Sequence, residues 1–146
     1  MFNFDKEFFI AKVRNHGIDI VEYAENAFMF PGLIKELPEL RVSCVYESSN
    51  NTIAIAASIP ISEDVMAQTL SALCDRLNSI AKFYTWIQDD IIASSLQLNF
   101  SQIDYSDDND ALEIAATFLL LFKQEFYNYG VKAYQYANTG NINYLT

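Results

Sequence analysis

The sequence predicts an α+β fold, an antiparallel sheet with helices packed on it, and three features carry that prediction. Strand-like segments come in pairs joined by polar turns. Helix-like segments separate the pairs. The regular strand–helix–strand alternation of a parallel sheet is missing. The expected order is helix, hairpin, hairpin, helix, hairpin, helix. Residues 1–146 are expected to form one domain, because a chain of 146 residues can bury roughly 70% of the surface its unfolded form exposes. A composition of 51% apolar residues with only 4 Gly and 3 Pro excludes disorder and collagen-like structure.

The elements follow in order. In the first helix, Asp5 to His16, Phe8, Phe9, Ala11 and Val13 share one face, while Lys6, Glu7, Lys12 and Arg14 occupy others. Asn3 is placed to cap it and Gly17 to end it. Ile18 to Phe30 reads as a short hairpin turning through Ala24-Glu25-Asn26 and closed by Pro31-Gly32. Leu33 to Glu39 connects it to the clearest hairpin of the chain. There Leu40, Val42, Cys44 and Tyr46 alternate with Arg41, Ser43, Val45 and Glu47. Ile53, Ile55, Ala57 and Ile59 keep the same period of two beyond the turn Ser48 to Asn51, and Pro60 stops the strand.

Ser62 is expected to cap the second helix, with Glu63 and Asp64 in its first turn. Met66, Leu70, Leu73, Leu77 and Ile80 form its apolar stripe. Lys82 to Ile87 and Ile91 to Phe100 pair across Gln88-Asp89-Asp90, with Ile92, Leu96, Leu98 and Phe100 on one face. After a polar loop, Ser101 to Asn109, Asp110 and Glu113 resemble a capping box. The last helix then runs from Ala111 to about Tyr129, where Gly130 is expected to end it. The tail 131–146 fits either a further short strand or an ordered arm.

Few chemistries are compatible with this inventory. Nineteen acids against nine bases give a formal net charge of -10, which argues against nucleic acid, since phosphates must be met by a basic stripe. Cys44 and Cys74 form no C-x-x-C pair and sit among apolar neighbours, so they read as small buried hydrophobes. Reduced thiols and the absence of a signal-peptide pattern in Met1 to Ile10 suit a cytoplasmic protein. The longest apolar run, Ala111 to Phe122, is shorter than the about 20 residues a membrane span needs.

His16 stands at a helix end, where the dipole favours a cation. The glycines, Gly17, Gly32, Gly130 and Gly140, form no phosphate-cradling loop. The acidic cluster Asp104, Asp107, Asp108, Asp110 and Glu113 fails the EF-hand pattern, with Asn109 where Gly is needed and Ala115 where Glu is needed. It reads as a solvated loop and helix cap. No catalytic, cofactor-binding or metal-binding residue is assigned.

The last helix is unusual. Leu112, Ala115, Ala116, Leu119, Phe122 and Phe126 form one apolar stripe, and Ile114, Phe118 and Leu121 extend apolar character to the far side, beside Glu125. A helix lying on a sheet should keep a polar outer face. Ile114, Phe118, Leu121, Phe122 and Glu125 are therefore the candidate partner-binding residues. Cover by the chain's own tail, through Tyr134, Tyr136 and Tyr144, is the competing expectation.

From Leu40 to Phe126 the chain resembles the YbjN-like group of bacterial proteins, labelled as sensory-transduction regulators, and the related fold of type III secretion chaperones. The segments that carry the resemblance are Arg41-Val-Ser-Cys-Val-Tyr46, Ile53-Ala-Ile-Ala-Ala-Ser-Ile-Pro60 with Ser62-Glu63-Asp64, Leu73-Cys-Asp-Arg-Leu-Asn78 and Lys82-Phe-Tyr84. The resemblance implies a small, acidic, dimeric and non-enzymatic protein that holds an extended segment of a client. The extra hairpin at Ile18 to Phe30 and the tyrosine-rich tail depart from that pattern.

The expectation is thus a non-enzymatic protein-binding module, chaperone-like or regulatory, working as a homodimer. It would offer either a sheet edge or a groove beside the helices to a protein client. The alternative is an immunity protein whose acidity opposes a basic toxin. A metal-dependent hydrolase using the carboxylates of Asp104 to Glu113 is the least favoured reading.

Overall fold

The computed structural model describes residues 2–146. Six strands form one antiparallel sheet: β1 (Val21–Ala24), β2 (Ala27–Met29), β3 (Arg41–Glu47), β4 (Thr52–Pro60), β5 (Tyr84–Gln88) and β6 (Ile91–Asn99). Their order across the sheet is β1-β2-β3-β4-β6-β5. The helices are α1 (Lys6–Asn15), α2 (Ala67–Ile80), α3 (Asp108–Glu125) and α4 (Val131–Thr139). The α+β class and the order of helix, hairpins, helix, hairpin and helix agree with the sequence analysis.

Each hairpin turns through a short polar residue in the left-handed region: Asn26 at φ 54°, Asn51 at 54° and Asp89 at 53°. Asn and Asp tolerate this conformation because their side chains bond locally to the backbone. The resulting registers place Cys44 opposite Ile55 and Ile55 opposite Leu96. Period-two alternation then sends Phe28, Val42, Cys44, Tyr46, Ile53, Ile55, Ala57, Ile59 and Ile92 to one buried face. Phe9 and Val13 of α1, Leu70, Cys74 and Leu77 of α2, the inner stripe of α3, and Tyr134 of α4 complete one contiguous apolar cluster on that side. The chain before α1 adds to it: Phe4 stacks on Tyr46 at 4.4 Å and Phe2 on Phe100 at 4.6 Å between ring centroids.

Four boundaries differ from the expectation. Helix α3 starts at Asp108 rather than Ala111. The cap of α1 is Asp5, whose carboxylate accepts from the Phe8 N–H at 3.2 Å, not Asn3. Helix α2 starts at Ala67 rather than near Ser62. The Ser62 N–H donates to the Ala137 carbonyl at 2.6 Å, which ties this stretch to α4 and leaves a turn before the helix. Met66 lies outside the apolar stripe and is 64% exposed.

The fourth difference is the largest. Gly130 does not end the last helix, and the tail is neither strand nor arm. Gly130 sits at φ -98°, ψ -36°, in the right-handed region, and the chain passes from α3 through a π-helical turn (Phe126–Gly130) into α4. The true stop is Gly140, in the left-handed conformation at φ 70°, followed by a 3-10 turn at Ile142–Leu145.

Candidate partner-binding face

The acidic loop before α3 is built as a helix start. Asp107 caps it by accepting from the Asp110 N–H at 2.8 Å, three residues ahead of the expected Asp110. Asp110 instead accepts from the Ser106 N–H at 2.9 Å and from its hydroxyl at 3.3 Å. Asp108 accepts from the Asn3 N–H at 3.2 Å. Glu113 pairs with Lys12 of α1 at 2.7 Å. Negative charge in the first turn of a helix is favourable, so these carboxylates serve the helix and its docking to α1. Among the described residues, no three His, Cys, Asp or Glu side chains gather as a metal site.

The inner stripe of α3 is fully used. Ala111, Leu112, Ala115, Ala116, Leu119 and Phe122 are buried. Phe122 therefore leaves the set of candidate contact residues: it is 0% exposed, with its ring 5.9 Å from Phe83 and 5.8 Å from Phe126. Ile114, Phe118 and Leu121 lie on the other side, half-buried. With Asp110, Glu113 and Thr117 they line an open groove of about 470 Å³. Its floor is apolar and its rim acidic. Glu125 lies outside this groove, its carboxylate 3.4 Å from the Lys82 N–H that donates to it.

The tail contributes no residue to the groove lining. Tyr134 is fully buried, its ring against Phe126 at 4.6 Å and its hydroxyl hydrogen-bonded to Ser94. Ser94 in turn bonds Thr85 at 2.8 Å, so a buried hydroxyl chain pins α4 to the sheet. Burial pushes the Tyr134 phenol up and the Cys44 and Cys74 thiols up with it, which leaves both cysteines poor nucleophiles.

The sheet edge at β5 is partly closed. The Asn78 amide donates to the Thr85 carbonyl at 2.8 Å and accepts from the Thr85 N–H at 2.6 Å. A side chain of α2 thus occupies the backbone groups that an added strand would need. At the opposite edge, β1 is four residues long and irregular between Glu22 and Ala24. Neither edge presents a long open ladder. No helix of the described residues is long and apolar enough to cross a membrane.

The fold is similar to that of YbjN and of ExsC. Solved structures similar to it include YbjN from E. coli, described as a candidate transcription regulator, with a TM-score of 0.63 and 15% identity over 90% of this chain and 92% of that one. ExsC in its complex with ExsE gives a TM-score of 0.56 and 11% identity, over 95% and 96% of the two chains. The HopA1–SchA chaperone–effector complex gives 0.49 and 9%, over 86% and 91%. At these identities the likeness is one of fold. No protein-family model matches the sequence, and no curated protein matches it.

Proposed function

We propose that this chain is a non-enzymatic protein-binding module of the cytoplasm, chaperone-like or regulatory, that works as a homodimer and holds a segment of a protein partner on the outer face of α3. One observation carries the reading: Ile114, Phe118 and Leu121 form an apolar floor that the described residues leave half-exposed, inside an acidic rim. A partner segment with apolar anchors at helical spacing and basic flanking residues fits that surface. Its anchors fill the groove, and its cations meet Asp110 at the rim. ExsC, which shares the fold, was solved with a partner protein bound, and that supports a protein as the ligand class.

Covering what remains exposed of Phe118 and Leu121 contributes on the order of 1 kcal/mol each, and a carboxylate at position 118 would also be desolvated by the partner, so one charged substitution should weaken binding by tenfold or more. The test uses wild type and Phe118→Glu to capture partners from the native host, followed by calorimetry with the purified partner. Phe118→Glu should keep the wild-type circular dichroism spectrum and lose the partner. Equal affinity of the two proteins would overturn the reading. A captured basic toxin encoded beside this gene would instead establish the immunity-protein alternative, which the net charge of -10 also suits.

A further inference from the structure

Among the described residues, the helices pack on one face of the sheet and none covers the other. Period-two alternation turns Val21 of β1, Met29 of β2, Ser43 and Val45 of β3, Ala54, Ala56 and Ser58 of β4, Ala93 and Ser95 of β6, and Tyr84 and Trp86 of β5 to that side. The registers run them in rows across the sheet: Val21, Met29, Ser43, Ala56, Ser95 and Tyr84 are successive cross-strand partners. Large side chains stand at its two margins. Val21 is 55% exposed, Met29 37% and Tyr84 62%, and Tyr84 lies beside Trp86 with their ring planes 20° apart.

Charge decides what can cover this face. In a chain of net charge -10, two copies repel wherever their acidic surfaces approach. Only two strand residues of this face are charged, Arg41 and Glu47, and they occupy opposite ends of β3, about 20 Å apart at 3.3 Å per residue. A twofold axis lying between two such faces, perpendicular to the strands, reverses β3 upon itself. It brings Arg41 against the partner's Glu47, and Glu47 against the partner's Arg41. The face is thus self-complementary in charge as an isologous interface requires. Six strands spaced about 4.8 Å apart give on the order of 500 Å² per copy, or about 1,000 Å² in total, the lower bound for a specific interface.

We infer that the open sheet face is the surface through which two copies of this chain pair, sheet against sheet, in the register set by Arg41 and Glu47. The inference rests on the homodimer part of the proposed function and names its surface; partner capture on α3 is a separate matter.

Sedimentation equilibrium over a wide concentration range tests it on wild type, Ala56→Lys, Ser95→Lys, Arg41→Glu, Glu47→Arg, the double charge swap and Phe118→Glu. Wild type and Phe118→Glu should be dimers. Ala56→Lys, or Ser95→Lys should the first fail to fold, should give a folded monomer. Each single charge change should raise the dimer dissociation constant about tenfold or more, and Arg41→Glu with Glu47→Arg should restore it to within about threefold. A wild-type monomer at every concentration would remove the homodimer reading and this inference together. A dimer indifferent to Ala56→Lys and Ser95→Lys, or a charge swap without rescue, would keep the homodimer and overturn this face as its interface.

Discussion

The Asn78 carboxamide donates one N–H and accepts at its oxygen, and Thr85 presents a carbonyl and an N–H to it on the outer edge of β5. The two sets meet at 2.8 and 2.6 Å, so a single side chain replaces a missing strand. Asn78→Ala leaves the Thr85 backbone groups unpaired in a partly buried place, and should lower stability by about 1–3 kcal/mol. Urea titration should show a lower midpoint with an unchanged slope. Asn78→Asp keeps the acceptor and loses the donor, so it should fall between the two; a midpoint equal to wild type in both variants would refute the role. Nothing in the sequence marks this residue. A polar Asn near the end of a helix reads as fraying, and its partner lies on another element. The same holds for the hydroxyl chain of Thr85, Ser94 and Tyr134, where three ordinary residues become a unit only after the strands are in register.

At the scale of elements, Gly130 and Gly140 look alike in sequence and behave differently. Gly140 takes φ 70°, and a Cβ there would lie 2.6 Å from the Asp64 Cβ. Gly17 takes a similar φ of 77° with nothing within 4 Å. Gly17→Ala should therefore cost only the left-handed backbone penalty of about 1–2 kcal/mol. Gly140→Ala should cost clearly more, because α4 and the turn at Asp64 must part. Thermal melts of the two variants measure the difference, and equal losses would contradict the packing described. Gly130→Ala is a different case, since its Cβ would press on the buried Phe126 ring at 3.1 Å. The hairpins, the inner stripe of α3 and the turns at Asn51 and Asp89 are legible in the sequence because alternation and turn chemistry are local. The π turn is not, because it depends on how Phe126 seats between Phe83, Phe122 and Tyr134.

At the scale of the whole molecule, burial sets an alkaline limit. Cys44 and Tyr134 stay protonated above their ordinary values of 9.0 and 10.0 because the core disfavours their charged forms. Above those values the unfolded chain releases protons that the folded chain retains, so stability falls as pH rises and is complete below the lower of them. Each group costs up to about 1.4 kcal/mol per pH unit. The melting temperature should hold to about pH 8.5 and then drop. Cys74 is shifted in the same sense, so Cys44→Ala alone should make the drop shallower, and Cys44→Ala with Cys74→Ala should move its onset towards the range of Tyr134; a profile unchanged by Cys44→Ala would show that Cys44 contributes nothing to it. The apolar outer side of α3 is legible in the sequence as excess apolar character in Ile114, Phe118 and Leu121, whereas Phe122 belongs to the core, because one residue of helical phase separates the two sides. The open sheet face was illegible, since small alternating residues such as Ala54, Ala56 and Ser58 read as ordinary surface.

That phase also explains what the π turn accomplishes. An α-helix advances about 100° per residue, and the wider turn at Phe126–Gly130 accommodates one residue more than an α turn would. Without that spare residue a straight continuation would swing Tyr134 roughly a quarter of a revolution away from Ser94. The helix behaves like a shaft with an offset coupling: its first half is clocked to α1, its second half to the strands, and one extra residue reconciles the two settings.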